Sequence, residues 1–215
     1  MSSHPHSSPR LPNAGAGQPS ARRMLSRLVR RTAQWRAQQL ISSALKLADE
    51  PSLVLDLPCG ADDFWPLLHT SNSRVVIAAE ANTERLAAAM AGLAPGLASR
   101  VHPLQTSAFA IDLGPNAVDC IFCMHYLHQV DEPQRRLALL REFNRVTRDC
   151  VIVSVWVDGN LEAARQPPLN RRNGQVHARA QIEREFINAG FGISGHRDFI
   201  PGLAMLRLYV LHKLS

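Results

Sequence analysis

Acidic residues are missing from the first 48 positions, although Arg10, Arg22, Arg23, Arg27, Arg30, Arg31 and Arg36 all fall before Asp49. The 215-residue chain carries a net charge of +6, so taking away these seven arginines leaves about −1 for everything after Arg36. The basicity therefore belongs to an N-terminal arm. A near-neutral body offers no extended basic face, which argues against nucleic acid as a partner. Long apolar runs are also missing. None approaches the ~18 residues of a membrane span, so no span is expected. With no apolar segment at the N-terminus to act as a secretion signal, the sequence predicts a soluble, cytoplasmic protein.

Cysteine is scarce, at Cys59, Cys120, Cys123 and Cys150. Cys120 and Cys123 form one C-x-x-C, but no second one exists to complete a zinc site. They fall in an apolar run that reads as a strand, where an offset of three sends the two side chains to opposite faces. Buried thiols in a reducing compartment are the expectation, with no metal. The G-x-G-x-x-G of nicotinamide-type dinucleotide folds is absent, and so is any internal repeat.

What is present reads as alternating strands and helices. Residues 1–20 are Ser, Pro, Gly, Ala and His, a composition expected to be disordered, with His4 and His6 in a solvated tail. Residues 21–215 then form a single domain. Its first part, 21–48, is an amphipathic helix with Leu25, Leu28, Val29, Leu40, Ile41, Ala44 and Leu45 at helical spacing and arginines between them. That helix fits packing on the domain, or an anionic surface or substrate. Strands follow at Leu53–Leu57, Arg74–Glu80, Val101–Gln105, Ala117–Met124 and Val151–Val157, and helices at Asp63–His69, Thr83–Gly92 and Pro133–Thr147, the last with Leu137, Leu140 and Phe143 inward. Repeated βα units predict a doubly wound, Rossmann-like sheet in three layers, helices on both faces. Residues 158–179, polar and holding Pro167-Pro168 and four arginines, read as a loop or lid. A helix over Ala180–Ala189 stops at Gly190. Gly192–Ile200 and Ala204–His212 then flank Pro201-Gly202 as an antiparallel hairpin, which gives the mostly parallel sheet an antiparallel C-terminal strand.

The organising stretch is Leu53–Asp62: an apolar strand, an acid, then a Pro/Gly turn. Glycine there lets backbone approach a ligand, and a helix start beyond it presents unpaired N–H groups. A nucleotide-like cofactor is expected at this turn.

Together these residues resemble the class I S-adenosylmethionine-dependent methyltransferases, in particular small stand-alone members, over about Leu40 to the C-terminus. Val54–Gly60 is similar to the family's first motif, which implies that Asp56, Pro58, Cys59 and Gly60 lie against S-adenosylmethionine. Glu80, followed by Ala81, ends the second strand where the family holds the ribose hydroxyls; a carboxylate accepts two hydrogen bonds at once. Ser107-Ala108 stands where the family commonly has Asp-Ala beside the adenine. Cys123-Met124 and the His125–Val130 segment follow the fourth strand, beside the methyl group and the acceptor. The resemblance implies methyl transfer to a small-molecule acceptor, with His125 or His128 as a base or orienting group. Trp156 and Asp158 are expected at the acceptor pocket or in the core. Arg165, Arg171, Arg172, Arg179 and His177 fit an anionic acceptor or a solvated loop. Asp62 replaces the motif's usual closing glycine. It either crowds the cofactor or caps the helix, and the first case leaves a second reading: a non-catalytic binding or regulatory module on the same fold.

Overall fold

The computed structural model describes residues 21–214 except 60–63, 70, 72 and 166–173, and for residues 21–30 it describes backbone alone. The expected tail over 1–20, with His4 and His6, lies outside the described residues, as do Gly60, Asp62, Arg171, Arg172 and the side chains of Leu25, Leu28 and Val29. By contacts the chain divides into two units, Met1–Trp35 and Arg36–Ser215. Described residues of the first are helical from Ala21 onward. The second holds every strand of the sheet.

In chain order the elements are α1 (Ala21–Leu47), β1 (Leu53–Asp56), α2 (Trp65–Leu68), β2 (Val75–Glu80), α3 (Thr83–Ala91), β3 (Val101–Gln105), β4 (Val118–Cys123), α4 (Pro133–Val146), β5 (Thr147–Trp156), α5 (Leu161–Arg165), α6 (Arg179–Asn188), β6 (Phe191–Asp198) and β7 (Leu206–Lys213), with short 3-10 turns at Pro95–Leu97 and Leu127–Gln129. The seven strands form one sheet in the order β3-β2-β1-β4-β5-β7-β6. β1 to β5 run parallel, and β7 runs antiparallel to both β5 and β6. This is the expected doubly wound sheet with its antiparallel ending.

Apolar packing on both faces holds the layers together, at roughly 1.5–3 kcal/mol for each large side chain removed from water. One core contains Leu55, Ile121, Cys123, Leu140, Phe143 and Phe186; the other contains Ile41, Leu45, Val54, Cys120, Phe122 and Ile152. Cys120 and Cys123 thus serve opposite faces of β4, as their spacing predicts. All four thiols are free and buried.

Three elements differ from expectation. β5 begins at Thr147 rather than Val151, because the polar residues ahead of the apolar run find partners. Thr147 Oγ1 donates to Asp119 O and Cys150 O, and Arg148 pairs with Asp119. On α4 the buried face is Arg136, Leu139, Leu140, Phe143 and Val146, whereas Leu137 is only half-buried. Within 158–179 the chain forms α5, whose N-cap is Asn160, with Oδ1 accepting from Ala163 N at 2.9 Å.

Candidate active site

In an open parallel sheet, ligands bind beyond the C-terminal strand ends where the strand order reverses. Here that point lies between β1 and β4, which are neighbours although β2 and β3 follow β1 in sequence. The strand ends there carry Asp56, Glu80 and Cys123, three of the expected site residues.

Asp56 is buried and accepts from Trp65 Nε1 at 2.8 Å, so the residue that ends β1 also fixes the first turn of α2. Leu57 N donates to Phe122 O at 2.9 Å and Cys59 N to Ala79 O at 2.8 Å, which lays the turn across the ends of β4 and β2. The Leu57–Pro58 peptide is cis. Burial, with Asp56 and Glu80 nearby, pushes the Cys59 thiol up to about 12, so it stays protonated. Glu80 is buried at the end of β2. Its Oε1 accepts from Asn82 N at 3.0 Å, and its Oε2 has no hydrogen-bond partner among the described residues. Asn82 in turn caps α3, accepting from Arg85 N. Ala81 is exposed next to Glu80. Ser107 is exposed with its hydroxyl turned onto its own loop, accepting from Phe109 N at 3.2 Å, and Ala108 is buried beneath.

Past β4 the chain turns sharply. Met124 is half-buried and His125 has φ of +54°, a left-handed conformation unusual for a side-chain-bearing residue. Its N–H is held by Ser154 Oγ at 2.8 Å, and its carbonyl accepts from Gln129 Nε2. The His125 ring lies 6.2 Å from the Phe64 ring, nearly parallel, and 6.2 Å from the His128 ring, edge-on. His128 is only 2% exposed and stacks on Trp156 at 4.1 Å and 14°. Burial, with His125 and His177 adding to it, pulls the His128 imidazole down to about 3. Its Nδ1 has no hydrogen-bond partner among the described residues.

His177, grouped by sequence with the arginines of the lid, is instead buried, and so a solvated reading does not hold for it. The backbone explains why. His177 N donates to Trp156 O at 2.9 Å, Asp158 N donates to His177 O at 3.0 Å, and Gln175 N donates to His128 O at 2.7 Å. Residues 174–177 therefore strap across the end of β5 and over the His128–Trp156 stack. Gly174 makes the close approach possible: with φ of +117°, a Cβ there would stand 2.3 Å from His128 Cδ2. Burial and the Arg136 charge lower the His177 imidazole to about 4, and its Nε2 has no partner among the described residues.

Arg136 was not anticipated. Its Nη1 donates to Val130 O and Asp131 O at 2.9 and 2.7 Å, and its Nε and Nη2 make a two-pronged pair with Glu185 at 2.8 Å each. The loop after β4, α4 and α6 are thereby tied at one buried point. A helical stripe with Arg136 among Leu139, Leu140 and Phe143 was the only trace of it in the sequence.

Among the described residues, no group of three or more His, Cys, Asp or Glu side chains is placed to hold a metal. No helix of the described residues is long and apolar enough to cross a membrane. A cavity of about 480 Å³ lies at the opposite edge of the sheet, lined by residues that include Asp49, Asp119, Asp149 and His212, and contains none of the site residues above.

A family model described as a methyltransferase domain matches residues 54–149. No curated protein matches the chain significantly. Among solved structures, the fold is similar to a Nostoc punctiforme protein provisionally assigned as an O-methyltransferase, at 23% identity and TM-score 0.62, covering 82% of this chain and 56% of that one. It is similar to the S-adenosylmethionine-dependent methyltransferase SibL at 21% identity and TM-score 0.68, covering 93% of this chain and 61% of SibL. It is also similar to magnesium protoporphyrin IX methyltransferase from Synechocystis, solved with bound S-adenosylmethionine, at 17% identity and TM-score 0.63, covering 93% and 86% of the two chains. The chain thus spans little more than half the length of the first two. A methyltransferase-domain match over residues 54–149 thus lies on this strand order, and the fold is the Rossmann-like methyltransferase fold.

Proposed function

We propose that the protein binds S-adenosylmethionine across the ends of β1, β2 and β4 and transfers its methyl group to a small-molecule acceptor. The observation that carries this is Glu80: a buried carboxylate at the switch-point edge with one oxygen engaged by its own loop and the other without a donor among the described residues. Such a group suits the paired hydroxyls of a ribose. The fit extends along the turn. Asp56, locked by Trp65, stands at the head of the turn through Pro58 and Cys59; we assign Ala81, Ser107 and Ala108 to the adenine side of Glu80 and Cys123 and Met124 to the floor at the end of β4.

S-adenosylmethionine supplies an activated methyl on a sulfonium, so the protein's task is alignment and, for a hydroxyl or amine acceptor, removal of a proton. His125 is the group we assign to acceptor contact. Its strained φ of +54°, fixed by Ser154, places it at the end of β4 beside Phe64. Strain of this kind persists where surrounding structure over-determines it, and it clusters at functional sites. His128, the other candidate base, suits that role less well. An imidazole lowered to about 3 holds a proton too weakly at neutral pH, and its ring is packed flat on Trp156. It acts instead as a positioning residue that sets Trp156 and the strap. Arg165 and Arg179 on the same edge favour an anionic acceptor.

Calorimetric titration of the protein with S-adenosylmethionine and with its demethylated product tests the reading. Binding in the micromolar range is expected, weakened tenfold or more by Glu80→Ala, the cost of roughly one charge-assisted hydrogen bond. Absence of heat at millimolar ligand would count for the non-catalytic module and against methyl transfer.

A further inference from the structure

The hairpin joining β6 to β7 breaks a general rule of loops. Surface connections are usually polar, yet Phe199-Ile-Pro-Gly-Leu-Ala-Met-Leu206 holds eight consecutive residues without one polar side chain. Its two ends face inward: Phe199 packs against the core and Met205 is buried. Its tip does not. Ile200 is 44% exposed and Leu203 49%, and Leu161 at the start of α5 joins them at 49%.

These side chains are presented by a braced frame. Leu203 N and Ala204 N both donate to Ile200 O, at 3.1 and 3.0 Å, and Gly202 supplies the left-handed turn at φ of +72°. The tip then caps α5. Leu161 N donates to Gly202 O at 3.1 Å and Glu162 N to Leu203 O at 2.9 Å, satisfying amides that a helix start leaves open. Glu162 returns a carboxylate oxygen to Met205 N at 2.9 Å. A loop so tightly bonded has no need of exposed aliphatic side chains for its own stability.

We propose that this tip, with Leu161, is a docking foot for the surface of an anionic lipid bilayer. Charge favours that occupant. The foot is flanked by Arg165 at the end of α5 and Arg179 at the start of α6, neither with a side-chain partner among the described residues. Of the acids nearby, Asp198 is neutralised by Arg207, whereas Asp158 and Glu162 accept only from the backbone amides of Arg179 and Met205 and keep their charge; Arg36, which donates to Phe199 O at 2.8 Å, adds a third cation and leaves the surround net positive. The remaining arginines ahead of Asp49 add long-range attraction for the same sign of surface. Area disfavours a second copy of the chain. Three half-exposed aliphatic side chains amount to at most a few hundred Å², against about 800 Å² per partner in a stable interface. Shallow insertion of apolar tips beneath cationic side chains needs no more than this. The foot stands at the C-terminal edge of the sheet, three residues from Asp158, so the acceptor side of the site would face the bilayer.

The experiment is sedimentation of the full-length protein with vesicles of phosphatidylcholine alone and with one third phosphatidylglycerol, at physiological ionic strength. Binding to the anionic vesicles is expected, weakened by about tenfold or more in the triple variant Leu161→Ser, Ile200→Ser, Leu203→Ser. All three positions are exposed, so circular dichroism and thermal melting should match the parent. The pair Arg165→Gln and Arg179→Gln should weaken binding by about thirtyfold, at roughly one charge's worth each. Three results overturn the proposal: no binding by the parent, full binding by the triple variant (the arm acting alone), or a parent dimer that the triple variant converts to monomer.

Discussion

Lowering the pH from 7 to 5 should destabilise the protein by an amount that can be worked out from two side chains. His128 and His177 are 2% and 7% exposed, and their imidazoles are lowered from 6.5 to about 3 and about 4 in the fold. The sign follows from which state takes up protons. Below 6.5 the unfolded chain protonates both rings while the folded protein protonates neither until the pH approaches 4 and then 3. Stability is therefore fully present above 6.5, declines as the pH falls, and levels off only below the folded values. At pH 5 each ring is about 1.5 units below its unfolded value, which is about 2 kcal/mol per histidine and about 4 kcal/mol for the pair. Against a typical stability of about 5–15 kcal/mol the loss is large. Urea unfolding followed by tryptophan fluorescence at the two pH values measures it. His128→Phe keeps a ring on Trp156, removes an unpartnered buried nitrogen and abolishes one titration. It should roughly halve the acid loss and leave stability at pH 7 equal or higher. If the parent loses less than about 1 kcal/mol, or the variant loses as much as the parent, the argument from buried neutral imidazoles is wrong.

Two further predictions concern the frame around the site. Arg136→Met leaves the buried Glu185 carboxylate without its partner and should cost about 3–5 kcal/mol by chemical denaturation, whereas Arg136→Met with Glu185→Leu should recover most of that loss. Gly174→Ala places a Cβ 2.3 Å from His128 Cδ2 at a φ of +117°. It should lift the strap, raising proteolytic cleavage at residues 174–177 and lowering acceptor turnover more than cofactor affinity.

The parallel part of the sheet was legible because its strands, apart from the mostly exposed edge strand β3, are apolar and separated by helical patterns, so each element announces itself locally. Asp56 and Glu80 were legible for a related reason: an acid closing an apolar strand is conspicuous. His177 was not. Its burial depends on backbone bonds from His177 to Trp156 and from Gln175 to His128, 21 and 47 positions earlier, and the arginines around it made the segment look solvated. Arg136 was hidden in the same way, since a partner 49 residues along the chain leaves no mark beside it. The start of β5 was missed because Thr147 and Arg148 are satisfied by Asp119, a neighbour in the sheet and not in sequence. In the hairpin, Pro201-Gly202 located the turn but not the apolar tip around it, which only exposure distinguishes from core.

The Arg136–Glu185 clamp also bears on how the protein tolerates change. Because one guanidinium holds the carbonyls of Val130 and Asp131 as well as a carboxylate on α6, the His125–Val130 loop and α6 are not separate inheritable parts. A chimaera that exchanged the C-terminal segment from α6 onward for a relative's would import a new partner for Arg136. It would thereby reset the loop after β4 without altering a residue in it.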